Sequence, residues 1–167
     1  MHKDTSLDPV REKLRDCISS KTNSILADLI KDKYIAQLGD SLTNFIYSLA
    51  ISVARDKCVG RRVPDSVLAN AYHSSVLKTL ISARGKKGKI GDVVEAVLLL
   101  SWLSEGFELE EMAEIIASHL EITKTSTRKD EFLAAAGAFQ KLLDEIAARI
   151  DKISNRMNCL SPSKSSR

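Results

Sequence analysis

The chain has 167 residues, 44% of them hydrophobic and 28% charged, with a formal net charge of +3. That size and balance are ordinary for one soluble globular domain with a real core and an appended element, and the charge is too mild to announce nucleic-acid binding by itself. Cys17, Cys58 and Cys159 are odd in number and widely spaced, with no CxxC or Cys/His pairing, which argues for reduced thiols and against a disulfide framework. The first residues, Met1 to Thr5, lack an apolar signal core, and the longest uncharged run is too short to span a bilayer, so the expected location is cytoplasmic, away from any membrane.

Three prolines and seven glycines in a chain of this length favour helix, and no convincing alternating strand interrupts the pattern, so the predicted fold is all-α. Asp8-Pro9 is a helix start, with Val10, Leu14, Cys17 and Ile18 on one face. A polar break from Ser19 to Asn23 leads to Ser24, a candidate cap for a short helix carrying Ile25, Leu26, Leu29 and Ile30. A long helix follows from about Tyr34 to Arg55, with Leu38, Leu42, Phe45, Ile46, Leu49 and Val53 at helical spacing, which predicts burial on most sides. Its exit is basic, with Arg55, Lys57, Arg61 and Arg62 around Gly60.

Pro64-Asp65-Ser66 starts a further helix bearing Val67, Leu68, Ala71 and Tyr72, and another piece holds Val76, Leu77, Leu80 and Ile81. Arg84 to Lys89 reads as a flexible Gly/Lys loop with four cations, and it leads straight into a second buried helix that ends near Trp102-Leu103. Gly106 makes a turn before an amphipathic helix from Glu108 to Ile122, whose acidic outer face (Glu108, Glu110, Glu111, Glu114) is expected to be solvated, as are the isolated His73 and His119. From Thr127 to Met157 the period changes to a heptad seam of Phe132, Ala136, Phe139, Leu143, Ile146, Ile150, Ile153 and Met157, predicting one long helix. The expected organisation is therefore a helical domain over 1–123, a long C-terminal helix over 124–158 that packs within or between subunits, and a disordered tail over 159–167.

Two segments carry the chemistry. Each reads aliphatic, Gly, Asp, then an uncharged helix: Leu38-Gly39-Asp40 and Ile90-Gly91-Asp92. A charge at the mouth of an apolar run is expensive, and a glycine inside a helical pattern suggests that another backbone passes close by. Asp92 and Glu95 are three apart and share a helix face. Crossing the two helices at their glycines would bring Asp40, Asp92 and Glu95 together. At about 5 Å and an effective dielectric of about 20, each like-charged pair costs on the order of 3 kcal/mol. Such a cluster calls for a cation, and an all-oxygen donor set favours magnesium or manganese over zinc. Placed beside it, the Gly/Lys loop is suited to phosphate contact.

Leu38-Gly39-Asp40-Ser41-Leu42 resembles the end of the ribonuclease III signature, Glu-Arg-Leu-Glu-Phe-Leu-Gly-Asp-Ala/Ser, and Asp92-Val93-Val94-Glu95-Ala96 resembles the second family motif, Asp-x-x-Glu-Ala. Their order, the separation of about fifty residues and the apolar continuation after each agree, over roughly Ile25 to Leu120. The chain is most similar in pattern to the short archaeal members without a double-stranded RNA-binding domain. The resemblance implies an all-helical homodimer, formed largely through the signature helix (Gly39 to Ala50), that cuts double-stranded RNA to leave 5′-phosphate and 3′-hydroxyl ends. It implies Asp40, Asp92 and Glu95 as catalytic magnesium ligands, and Arg84, Lys86, Lys87, Lys89, Arg61 and Arg62 as holders of the RNA backbone. Asn44, one turn beyond Asp40, is a candidate to support that acid or to contact RNA.

The departures are equally specific. The glutamate that the family carries four residues before the signature aspartate is here Ala36, the earlier signature glutamate is Lys33, and the aromatic at the dimer contact is Gln37. The readings open at this point are a metal-dependent endoribonuclease acting on double-stranded or structured RNA, for instance in ribosomal RNA processing; a non-catalytic RNA-binding or ribosome-associated protein on the same fold; a helical dimer serving only interaction; and acids that merely cap helices or pair with Lys and Arg.

Overall fold

The computed structural model describes residues 8–19, 26–123 and 126–159, and all regular structure among them is helical, as the sequence predicts. In chain order the elements are α1 (Asp8–Ser19), α2 (Leu26–Leu29), α3 (Lys33–Arg55), α4 (Asp65–Ser74), α5 (Leu77–Leu80), α6 (Lys87–Leu103), α7 (Leu109–His119), α8 (Arg128–Ala148) and α9 (Ile150–Cys159). The proposed Ser24 cap, the break over 20–23, the signal-free start at 1–5 and the tail over 161–167 lie outside the described residues.

The fold is built around α6. From Val94 to Leu103 every residue of this helix is buried, so its uncharged run is explained by neighbours on all sides: α3 and α4 chiefly, with α1 and α9 at the flanks. Side chains from α3 to α9 join in one continuous apolar core with it. Among the described residues no helix is long and apolar enough to cross a membrane.

Helix α3 starts where Asp32 accepts hydrogen bonds from the Tyr34 and Ile35 amides, and it ends at Asp56 in the left-handed conformation. Its inner face is not the predicted one. The buried residues are Ile35, Ala36, Gly39, Thr43, Ile46, Tyr47, Ala50 and Ile51, whereas Leu38, Phe45 and Val53 stand exposed and Leu42 and Leu49 are half-buried. Of the six residues expected inside, only Ile46 is buried. The physical reason is the closeness of α6. A near backbone contact selects the stripe with the smallest side chains (Ala36, Gly39, Thr43, Ala50), which turns the larger apolar residues outward.

The C-terminal heptads do not form one long helix. Thr127 and Asp130 close a capping box that starts α8, but the helix stops at Arg149 (φ −109°, ψ 7°) and α9 sets off anew. Arg149 holds the corner: its guanidinium donates to the Gly106 carbonyl at 3.0 Å, pairs with Glu111 at 2.9 Å and lies 4.0 Å from the Phe107 ring centroid. Ala136, Phe139, Leu143, Ile146, Ile153 and Met157 are buried, and α8 packs on α4 and α7. Six of the eight seam residues are thus covered within the chain, and Phe132 and Ile150 are half-buried.

The acidic face of α7 is also not simply solvated. Glu108 accepts both arms of the Arg11 guanidinium, which is buried and stacked 5.1 Å from the Trp102 ring centroid, and Glu111 is the partner of Arg149. His73 and His119 are exposed, as expected.

Candidate functional site

Helices α3 and α6 cross at Gly39. A Cβ built on Gly39 would lie 2.3 Å from the Glu95 carbonyl oxygen, so only glycine lets the two backbones approach this closely. The expected close passage is real, and it fixes the next step of the geometry. Asp40 follows Gly39 and therefore emerges beside Glu95, with a hydrogen bond joining the two carboxyl groups. Glu95 is only 6% exposed and has no ion pair among the described residues. Burial, followed by the charges of Asp40, Asp92 and Asp65, pushes its carboxyl up to about 7.

Of the predicted trio, then, Asp40 and Glu95 touch, while exposed Asp92 acts on Glu95 through its charge. The fourth acid in this field, Asp65, was read from the sequence only as a helix start. It opens α4 and sits against α6, where a Cβ on Gly91 would lie 3.5 Å from the Asp65 Cβ and one on Gly88 would lie 3.3 Å from its Oδ2. The signal that could have found it is the Gly88-x-x-Gly91 spacing, which clears one face of α6 for a neighbour.

A divalent ion fits this pocket by charge and donor type. Buried Glu95 feels the charges of three further acids, Asp40, Asp92 and Asp65, and all the donors are oxygens. The fit is not one of preformed coordination: among the described residues no three His, Cys, Asp or Glu side chains already stand close enough to share an ion. Asp40 also has a cation nearby, Arg62 at 3.6 Å, on an arm that is 78% exposed. Ala36, at the position of the missing glutamate, is buried in the face of α3 that meets the core.

Asn44 and two serines organise the rim. Asn44 Nδ2 donates to Asp40 Oδ1 at 3.0 Å, and Asn44 Oδ1 accepts from the Val63 amide at 2.8 Å. Ser48 Oγ accepts from the Arg61 amide at 3.0 Å, and Ser52 Oγ accepts from the Val59 amide at 2.9 Å. Residues four apart on a helix advance about 6 Å, and two residues of extended chain advance about 6.6 Å, so the rungs match. The Asn44-x-x-x-Ser48-x-x-x-Ser52 spacing thus clips the returning Val59–Val63 segment along α3, which delivers Arg62 beside Asp40.

The Gly/Lys loop is shorter than predicted. Gly85 (φ +130°) turns the chain, and α6 already begins at Lys87, so Lys87 and Lys89 lie in its first turn. Arg84, Lys86, Lys87 and Lys89 are all exposed, and none has an ion pair among the described residues.

The described residues thus form an all-helical domain in which two glycine-bearing helices cross beside a group of acids, with Arg62 close to one of them. The ribonuclease III family model matches residues 33–152, and the chain belongs to that family. The family acts on RNA and is generally dependent on divalent metal. A search of curated proteins gives no match.

Proposed function

We propose that the protein is a metal-dependent endoribonuclease that hydrolyses phosphodiester bonds in double-stranded or structured RNA, with magnesium (or manganese) as its ion. The observation that carries this reading is Glu95: a buried acid, pressed against Asp40 at a backbone crossing, with no cation of its own. Asp40, Asp92 and Glu95 would hold the ion, and Asp65 is the nearest further carboxylate, offsetting the absence of one at Ala36. A bound divalent ion supplies a water of lowered pKa and neutralises charge at the phosphate. Asn44 keeps the Asp40 carboxylate oriented. Glu95 gives up its proton when positive charge enters the pocket. Arg84, Lys86, Lys87, Lys89, Arg61 and Arg62 hold RNA phosphates, which are what an A-form duplex offers along with 2′-hydroxyls.

The same reading includes a homodimer. Tyr34, Leu38, Phe45 and Val53 form an exposed apolar stripe along the outer side of α3, with Leu42 and Leu49 half-buried between them. A contiguous stripe of this kind on one helix is a protein-contact surface. A second copy of α3 is its natural cover, while the buried heptads of α8 offer no such surface.

A second reading, a non-catalytic RNA-binding protein on this fold, is favoured by Ala36 and by the approach of Arg62 to Asp40. One experiment separates the two. A labelled RNA duplex is incubated with the protein in magnesium, then in EDTA. Cleavage only in magnesium, abolished in Asp40→Asn and Glu95→Gln with duplex binding retained, is the expected outcome. Binding without metal-dependent cleavage selects the second reading.

A further inference from the structure

A cleft of about 330 Å³ opens between α3, the Val59–Val63 segment, α4 and the start of α8. Its charged lining is Arg61, Arg62, Arg128 and Glu131. Glu131 is already engaged, because it forms an ion pair with Arg55. The remaining three guanidinium groups have no acid within the cleft to answer them. Arg62 is shared with the acidic pocket through its 3.6 Å approach to Asp40, so the two sites adjoin.

A second, independent feature marks the floor. Tyr47 is 7% exposed, with its ring packed on Phe139 at 5.8 Å, and it lines the cleft. Its hydroxyl makes no hydrogen bond among the described residues, although Arg61, Arg55 and Glu131 are near enough to act on it electrostatically. That hydroxyl opens to solvent in the cleft, so it can donate to a ligand that enters. Two guanidinium groups without an ion pair among the described residues, Arg61 and Arg128, and a solvent-open hydroxyl match the chemistry of a phosphate group, which accepts from both.

We infer that this cleft is a second phosphate-binding site that grips the RNA strand beside the one held at the acids, with Arg61, Arg128 and the Tyr47 hydroxyl as its contacts. The inference rests on the RNA reading of the proposed function, but it does not require cleavage. Arg62, which leans toward Asp40, links the two positions along the strand. Arg128 lies 67 residues from Arg61 in no simple spacing, and only the packing of α8 on α4 brings it here.

The test measures binding of a fluorescent RNA duplex to the full chain without magnesium, across a salt series. Removing one phosphate contact lowers the slope of log affinity against log salt by about one unit, or about eightfold in affinity at 0.1 M salt. That loss is expected for Arg128→Ala and Arg61→Ala, and not for Lys152→Ala, an exposed lysine of α9 outside the cleft. Tyr47→Phe keeps the buried ring, so its unfolding midpoint should be unchanged or higher while its RNA affinity falls about threefold. Unchanged affinity and slope in Arg128→Ala and Tyr47→Phe overturn the inference. So does a wild-type chain that binds no RNA but whose Tyr47 and Arg128 resonances respond to inorganic phosphate, which would make the cleft a site for a free anion. Cleft-dependent binding without magnesium-dependent cleavage upholds the inference and removes the nuclease reading alone.

Discussion

Glu95 shows how one residue can carry the logic of a site. Without metal its carboxyl titrates near 7, above an ordinary 4.5, chiefly because it is buried and secondly because Asp40, Asp92 and Asp65 surround it. The folded state therefore keeps a proton that the unfolded chain releases. Below pH 4.5 both states hold it and nothing is lost; between about 4.5 and 7 folding stability falls, and above 7 the full penalty remains. Denaturant unfolding of the metal-free protein should show this decline, and Glu95→Gln should flatten it. Magnesium, which favours the ionised form, should then raise the unfolding midpoint more at pH 8 than at pH 5.5. Gly39 makes the complementary point. Gly39→Ala drives a methyl group into the Glu95 carbonyl and should cost on the order of 2 kcal/mol or more, since backbone cannot move aside as a side chain can. A thermal melt within a degree of wild type would contradict the crossing.

At the scale of elements, the ladder from α3 to the Val59–Val63 segment places the basic edge of the site. Ser48→Ala and Ser52→Ala each remove a hydroxyl that accepts from one amide of the segment and donates to carbonyls of α3 and of the segment, with each bond worth on the order of 1 kcal/mol. Their amide partners are specific, so hydrogen exchange should accelerate at Arg61 and Val59 respectively while the amides of α6 stay protected. Equal acceleration everywhere would mean that the serines support the fold generally and not this segment. Helices α8 and α9 belong to the same core as the rest. Truncation before Arg128 exposes the faces of α4 and α7 that Ala138, Phe139, Leu142 and Ile146 now cover, so the shortened chain should lose cooperative unfolding.

For the molecule as a whole, the apolar stripe on α3 predicts association. Phe45→Glu, on a side chain that is 54% exposed, should leave the monomer fold intact, yet shift sedimentation from dimer to monomer. An unchanged sedimentation coefficient would leave the stripe without a second copy to cover it. The stripe also shows why the sequence misled about burial. Periodicity marks Leu38, Leu42, Phe45, Ile46, Leu49 and Val53 as one apolar face, but it does not say which partner covers that face. The heptads of α8 and α9 misled in the same way: the seam was real, but a corner at Arg149 and packing on α4 and α7 could not be read from spacing.

What the chain dictates locally is read off directly. Uncharged helices, a glycine before each of Asp40 and Asp92 and an i, i+3 pair at Asp92 and Glu95 are matters of spacing, and they sufficed to give an all-helical fold, the crossing at Gly39 and the approach of Asp40 to Glu95. Whatever depends on segments distant in sequence was settled only in three dimensions. Asp65 entering the field of Glu95, Arg128 joining Arg61 and Tyr47 in the lining of one cleft, and the large apolar residues of α3 facing outward all follow from how closely helices can pack. That closeness is set by the smallest side chains on each surface, a property of pairs of elements and not of any one of them.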